Sequence, residues 1–385
     1  MVGYFLRLGA TGFGGPVALA NAMRRDLVET RGWISESEYD SGLAIAAACP
    51  GPMAYQLGVY CGFIRFGLAG GVAVSFAFGL APFLLVVSVA AAYTRLSQNW
   101  QLRALFYGVS PVVVALIVKA GWNLGLKTLR KGKGAWLIAA IACGATVALE
   151  REITLLFIVF GVVGAIVFAR ESGGPKPSAG SKSPSSPPPA GAPAFALPLA
   201  AASGMPAQLF LFFFKTGCLV FGSGLVIVPF LKTYVVDEYH WLSNRQFLDA
   251  VAIGMISPGP VVITATFVGY LVADFRGALA ATVGIFSPAI LFTLIATPLI
   301  LRHGGNSRLK GFIRGITVTV VGVLVGTTWL VARTAIGDVL TLTIAILCLV
   351  TLAIRPRFPE PLLVGIGALI GLASYGFVRP EWLLR

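Results

Sequence analysis

The chain has 385 residues, of which 57% are hydrophobic and only 11% charged, with a formal net charge of +14. A soluble domain of this size carries about a quarter of its residues as charges, so an ordinary water-soluble globule is excluded and much apolar surface must face lipid. The basic residues cluster in short stretches between apolar runs, as in 127–133 and 302–310, which suits the loops of a membrane protein and excludes a nucleic-acid-binding face.

Runs able to enter or cross a ~30 Å hydrocarbon core fall at 2–23, 41–64, 67–94, 104–126, 134–149 and 152–169. The first carries Arg7 within it and lacks a charged start, so it reads as a membrane segment and not as a cleaved signal peptide. Phe13-Gly14-Gly15-Pro16 interrupts it, and a polar stretch follows that ends in Trp33 and in Ser35-Glu36-Ser37-Glu38. That pattern predicts a capping box opening the next helix, with the tryptophan at the membrane–water boundary. Cys49-Pro50-Gly51-Pro52 then breaks the second run.

Residues 171–193, ESGGPKPSAGSKSPSSPPPAGAP, have almost no bulky apolar side chains and read as a flexible linker. A second set of runs follows at 208–231, 247–272, 276–301, 312–332, 337–354 and 360–378. The predicted organisation is therefore a first membrane repeat over 1–170, a Pro/Ser/Gly-rich linker over 171–207 and a second membrane repeat over 208–385.

The two sets are copies. Trp33, Ser35, Pro50, Gly51 and Pro52 recur at one constant offset as Trp241, Ser243, Pro258, Gly259 and Pro260. Gly9, Phe13 and Gly14 recur as Gly217, Phe221 and Gly222, and Arg7 falls on Lys215. One position shorter, Gly62, Gly108 and Trp122 match Gly269, Gly315 and Trp329. A shared offset across rare residue types identifies an internal repeat. If every run crossed in simple alternation, the loop Lys and Arg would divide almost evenly between the two sides. Folding back the Pro-Gly-Pro segment of each half gathers 127–133, 302–310 and 355–357 on one side, and so recovers a positive-inside bias. Folding back the first segment instead, or letting the linker region cross once, gives a weaker bias. Each of these arrangements inverts the second half relative to the first. The expected fold is an all-α integral membrane protein of two inverted repeats, each with five to six membrane helices that are broken or re-entrant.

Each half carries two backbone breaks at matching positions, Gly14-Gly15-Pro16 with Gly222-Ser223-Gly224, and Pro50-Gly51-Pro52 with Ser257-Pro258-Gly259-Pro260. Proline removes a backbone donor and glycine loosens the chain, and in hydrocarbon the freed groups need partners. They are read either as packing kinks or as half-helix N-termini that face an anion at mid-depth. Arg7 and Lys215 lie six residues before the Phe-Gly breaks and are read either as cations of the same site or as residues reaching out to the interface. Lys119 lacks a basic counterpart and reads as an interface or helix-end residue. Of the acidic residues only Asp249 sits appreciably inside an apolar run, and His240 and His303 lie in loops. This inventory disfavours a proton relay and a site for hard cations, and favours an anion. The five cysteines show no CxxC and read as buried apolar residues, with no metal site, no cofactor and no catalytic set. No phosphate-cradling nucleotide motif is present.

The motifs Phe13-Gly14-Gly15-Pro16, Trp33-Ile34-Ser35-Glu36 and Pro50-Gly51-Pro52, repeated in degenerate form in the second half, resemble the CHR family of chromate transporters in its long, two-domain form. The second half departs from the pattern at Ser223-Gly224. The resemblance implies a multi-pass protein of the cell inner membrane, a secondary transporter that exports chromate and so confers resistance. The substrate would be a small tetrahedral oxyanion, the setting a lipid bilayer, and a homodimer stays open. The alternatives are a transporter of sulfate or a related oxyanion, and, from another class, an anion channel. Moving a dianion out of a negative interior is favoured by roughly 4–5 kcal/mol per 100 mV, so potential alone suffices to drive export.

Overall fold

The computed structural model describes residues 1–13, 15–96, 99–130, 132–150, 154–168, 204–222, 224–303, 307–356 and 358–374. Gly14, Ser223 and the linker residues 171–203 lie outside the described residues. Among the described residues the secondary structure is helical, apart from one two-stranded contact. In the first half, α1 (Val2–Thr11), α2 (Gly15–Met23) and α3 (Glu36–Ala48) precede β1 (Gly51–Pro52). The long α4 (Met53–Leu96) and α5 (Trp100–Leu129) follow, then α6 (Lys133–Leu149) and α7 (Thr154–Val167). The second half repeats this with α8 (Met205–Leu219), β2 (Phe221–Gly222), α9 (Ile227–Phe230), α10 (Asn244–Ile256), α11 (Thr264–His303), α12 (Ser307–Ala335), α13 (Val339–Ile354) and α14 (Glu360–Ser374). A π-helical stretch continues α2 over Arg24–Thr30 and, at the matching place, α9 over Leu231–Glu238.

Both capping boxes form, Ser35 with Glu38 and Ser243 with Gln246. Each fixes the start of a 13-residue helix that ends at a proline pair. Cys49 and Ser257 take extended backbone, ψ 149° and 137°, because a residue before proline is driven out of the helical region. At about 1.5 Å per residue α3 and α10 are near 20 Å long, too short to cross.

The chain then folds back. A Cβ placed on Gly42 of α3 would meet the Tyr60 ring of α4, and one on Gly254 of α10 would lie 3.0 Å from Thr264 Cβ. These contacts pair residues on either side of each Pro-Gly-Pro turn, so α3 with 53–65, and α10 with 264–272, are re-entrant helical hairpins. The first segment folds back as well. Arg31 stacks over the Tyr4 ring at 5.5 Å and over Trp33 at 4.7 Å, which returns the chain to the base of α1. In the second half Phe212 packs on Tyr239 and Trp241 in the same place. Each half thus holds two hairpins where the charge pattern asked for one.

Inside α4 the backbone reverses at Phe66 and Gly67, and inside α11 at Ala273 and Asp274. Tyr55 accordingly donates its hydroxyl to Ser75 O, 3.1 Å away on the return arm. Among the described residues, four helical spans are long and apolar enough to cross a bilayer, Met53–Leu96, Trp100–Leu126, Val261–Ile295 and Gly311–Ala335. The reversals divide the first and third into a hairpin arm and a return arm, 68–96 and 275–303. The return arms run antiparallel to each other, Gly71 meeting Leu294 and Phe83 meeting Phe275. So do α5 and α12, with Gly125 at Val321 and Gly121 at Leu324. A two-fold relation between antiparallel helices lies across their axes, so the halves are inverted.

At the reversal Gly67 has φ 65°, ψ −157°, whereas its counterpart Asp274 is held at φ 49°, ψ −147°. That region belongs to glycine, and another residue there is strained by about 1–3 kcal/mol. Asp274 is exposed, so Asp274→Gly should raise the thermal midpoint in detergent by a few degrees; a lower midpoint would show that the carboxylate holds something.

The halves interlock. α7 and α6 of the first half pack on α12 of the second, while α14 and α13 pack on α5. Polar ties accompany this exchange: Tyr107 of α5 donates to Asp338 at the start of α13 (2.6 Å), and Lys119 of α5 pairs with Glu360 of α14 (3.2 Å). Lys119 is thus a partly buried bridge between the halves, paired with the first residue of α14.

Candidate functional site

The hairpins leave four broken backbones, and the fold brings all four to one point. Gly51 N–H donates to Val220 O at 2.5 Å, and Gly259 N–H donates to Gly12 O at 2.8 Å. These bonds are equivalent under the repeat: each Pro-Gly-Pro turn is tied to the first break of the opposite half. The first bond belongs to a parallel pairing of Gly51 with Phe221 and of Pro52 with Gly222. Backbone groups released by proline and glycine therefore satisfy one another across the inverted repeat, as a low-dielectric interior demands.

Gly51 (φ 136°), Gly259 (φ 88°) and Gly15 (φ 77°) hold conformations that side chains disfavour. A small enclosed void lies at this junction. Gly15, Pro16 and Leu19 line it from the first break, Pro52 and Ala54 from the second, Gly224 from the third, and Gly259, Pro260 and Val261 from the fourth. Helical structure begins at or beside each of these places, at Gly15, Met53, Gly224 and Val261. Four N-terminal turns thus meet around the void, each bringing the positive end of its backbone dipoles toward it. Among the described residues no charged side chain lines it. Its volume is about 10 Å³, near the least that one water needs.

The junction gathers Gly15, Pro16, Pro52, Gly224, Gly259 and Pro260 of the sequence-derived candidates. Gly51 and Gly222 flank it in the paired strands. Pro50 O accepts from Gln56 Nε2 at 2.8 Å, and Ser257 and Pro258 are buried in the turn beside it. Arg7 and Lys215 are not brought in; both are exposed on the outer sides of α1 and α8. Their backbones do border the junction's supports, since Gly9 and Gly217, two residues on, pack against the backbone of Phe78 and Ile285.

The sequence reading missed one buried polar group and undervalued another. Gln56 is fully buried four residues after Pro52, with its Oε1 unpartnered. It was legible as the one amide in the apolar run 53–64. Asp249 is 1% exposed, and its Oδ2 accepts from the Tyr93 hydroxyl at 2.6 Å. The acid inventory treated Asp249 as marginal because its depth depends on α10 folding into the protein interior.

An all-α membrane protein with inverted repeats, whose broken half-helices meet at one junction, has the architecture of a membrane transport protein. The chain belongs to the chromate transporter family, whose pattern matches residues 1–167 and 207–372, one match to each repeat. It is 42% identical to the chromate transport protein of Cupriavidus metallidurans, over 97% of this chain and 92% of that one. It is 40% identical to the probable chromate transport protein of Synechococcus elongatus, over 96% and 93%. A chromate transport protein of Pseudomonas aeruginosa is 33% identical over 88% of this chain and 82% of its own length. No solved structure matches the chain.

Proposed function

We propose that this protein is a secondary transporter that exports chromate across the cytoplasmic (inner) membrane and that the four-break junction is its substrate site. The observation that carries the reading is the meeting of four helix N-termini around a void that no carboxylate lines. Backbone N–H groups and dipole ends suit an oxyanion, and they need no side-chain charge to hold it. The basic residues support a sidedness for this reading. Arg24, Arg25, Arg31, Arg65, Arg130, Arg308 and Arg355 fall at the end of the bundle where α5 finishes and α12 begins, and a positive-rich end faces the cytoplasm.

In this reading the two first-half hairpins enter from the cytoplasm and the two second-half hairpins from outside. The crossed bonds Gly51–Val220 and Gly259–Gly12 hold them together in the closed form. Substrate is reached when one pair of hairpins withdraws and its N–H groups turn from carbonyl oxygens to the anion. Arg7 and Lys215 would then attract the dianion toward the opened junction from the two sides. Because backbone donors recognise a tetrahedral oxyanion by shape and charge, sulfate is expected to compete. The test is uptake of radiolabelled chromate into inverted membrane vesicles, with counterflow against preloaded chromate and competition by sulfate. Saturable uptake with counterflow is expected. Flux without counterflow would make the protein a channel, and sulfate uptake without chromate uptake would make sulfate the substrate.

A further inference from the structure

Asp249 stands in the middle of α10, the entering arm of the second half's Pro-Gly-Pro hairpin, eight residues before Ser257. Among the described residues only one of its oxygens is satisfied: Tyr93 donates to Oδ2 at 2.6 Å, while Oδ1 is buried without a hydrogen-bond partner. Tyr93 belongs to the first half, at the end of the crossing arm 68–96, and its ring is wedged between Phe106 of α5 and Phe267 of α11. The contact therefore joins a hairpin of one half to the frame of the other.

The elements packed on α10 carry other ionisable groups: Arg103 and Tyr107 on α5, Tyr270 on α11, Glu360 on α14, and Lys232, Asp237 and Glu238 on the π-helical stretch. Tyr107 is engaged by Asp338, Glu360 by Lys119, and Lys232 by Asp237. Nearest to Asp249 stand Tyr93, bonded to it, and Arg245, one turn earlier on α10. The fold does not require the acid. The matching position of the first hairpin is Ser41, and that of Tyr93 is Ile300, so one hairpin closes without a carboxyl and the other with one.

We propose that Asp249 is a proton-binding site that couples proton uptake to closure of the second hairpin. A buried carboxylate with an unmet oxygen is costly, whereas a protonated carboxyl carries no charge into the closed form. When the hairpin withdraws, water reaches both oxygens and the proton leaves to water; when a proton returns from the compartment that α10 enters, the hairpin closes on Tyr93. Nothing but the proton changes hands.

The inference rests on the transport reading, and the experiment separates the two. Chromate counterflow is measured in proteoliposomes over a range of pH, with no membrane potential. The wild-type exchange rate is expected to vary with pH in the compartment facing the Trp241 end. Asp249→Asn keeps an acceptor for Tyr93 but cannot release a proton, so it should lose that dependence and exchange slowly at every pH. Asp249→Glu should restore a pH dependence. If Asp249→Asn does not accumulate, Tyr93→Phe, which keeps the ring packing, should shift the midpoint of the profile. A wild-type rate that is flat with pH, an unchanged profile in Asp249→Asn, or an unmoved midpoint in Tyr93→Phe would overturn the proposal. Absence of counterflow in the wild type at all pH values would instead remove the transport reading itself.

Discussion

Replacing Gly259 with alanine is expected to abolish chromate uptake in inverted vesicles while the protein still inserts. Gly259 has φ 88°, and a Cβ there would lie 2.7 Å from the Pro82 ring of the opposite half. A side chain at positive φ costs about 1–2 kcal/mol, and the proline ring has no flexible end that could give way. The turn must therefore shift, and its N–H is the donor that reaches Gly12 O at 2.8 Å. A displacement of a few tenths of an ångström there changes the one place where all four breaks meet. Gly51→Ala tests the same element from the other half, with φ 136° and Ala289 Cβ 2.7 Å away. Gly144→Ala and Gly365→Ala are the controls, since a Cβ at either meets nothing within 4 Å. Uptake per inserted molecule decides the matter: wild-type rates in both Gly259→Ala and Gly51→Ala would move the substrate path away from this junction.

The repeat and its breaks were legible because proline and glycine write their conformational effect directly into the sequence. Cys49-Pro50 and Ser257-Pro258 end their helices for a local reason, and so the turns could be placed to the residue. The direction of the chain after a break is not local. Whether 15–30 continues α1 or returns beside it depends on Arg31 finding Tyr4 and Trp33, a contact that the apolar pattern does not encode. The same limit hid Asp249, whose neighbour Tyr93 lies in the other half. Lys119 looked isolated because its partner, Glu360, is far along the chain. Arg7 and Lys215 stand out by their position in the sequence, yet the helix faces they occupy are exposed.

The interlock of the halves gives the largest expected effect on stability. A Cβ on Gly108 of α5 would overlap the Gly367 carbonyl of α14 and lie 2.7 Å from Gly371 N. At the symmetric contact, a Cβ on Gly315 of α12 would overlap the Phe160 carbonyl of α7 and lie 3.0 Å from Gly164 Cα. All four helices approach backbone to backbone, which small residues permit and which gives membrane helices their packing energy. Adding one methyl at either contact forces a helix pair apart along its length, at about 1–3 kcal/mol for an overpacked site. The two contacts share no partner, so their effects should add. Gly108→Ala with Gly315→Ala then removes roughly 2–6 kcal/mol from a total of about 5–15 kcal/mol for a folded domain. Each single variant is expected to lower the thermal midpoint in detergent, and the double variant to accumulate poorly or not at all. Gly365→Ala, on the same helix as Gly367 and Gly371, should leave the midpoint unchanged. If the double variant melted with the wild type, α14 and α7 could not be the clasps that hold the two inverted halves around their junction.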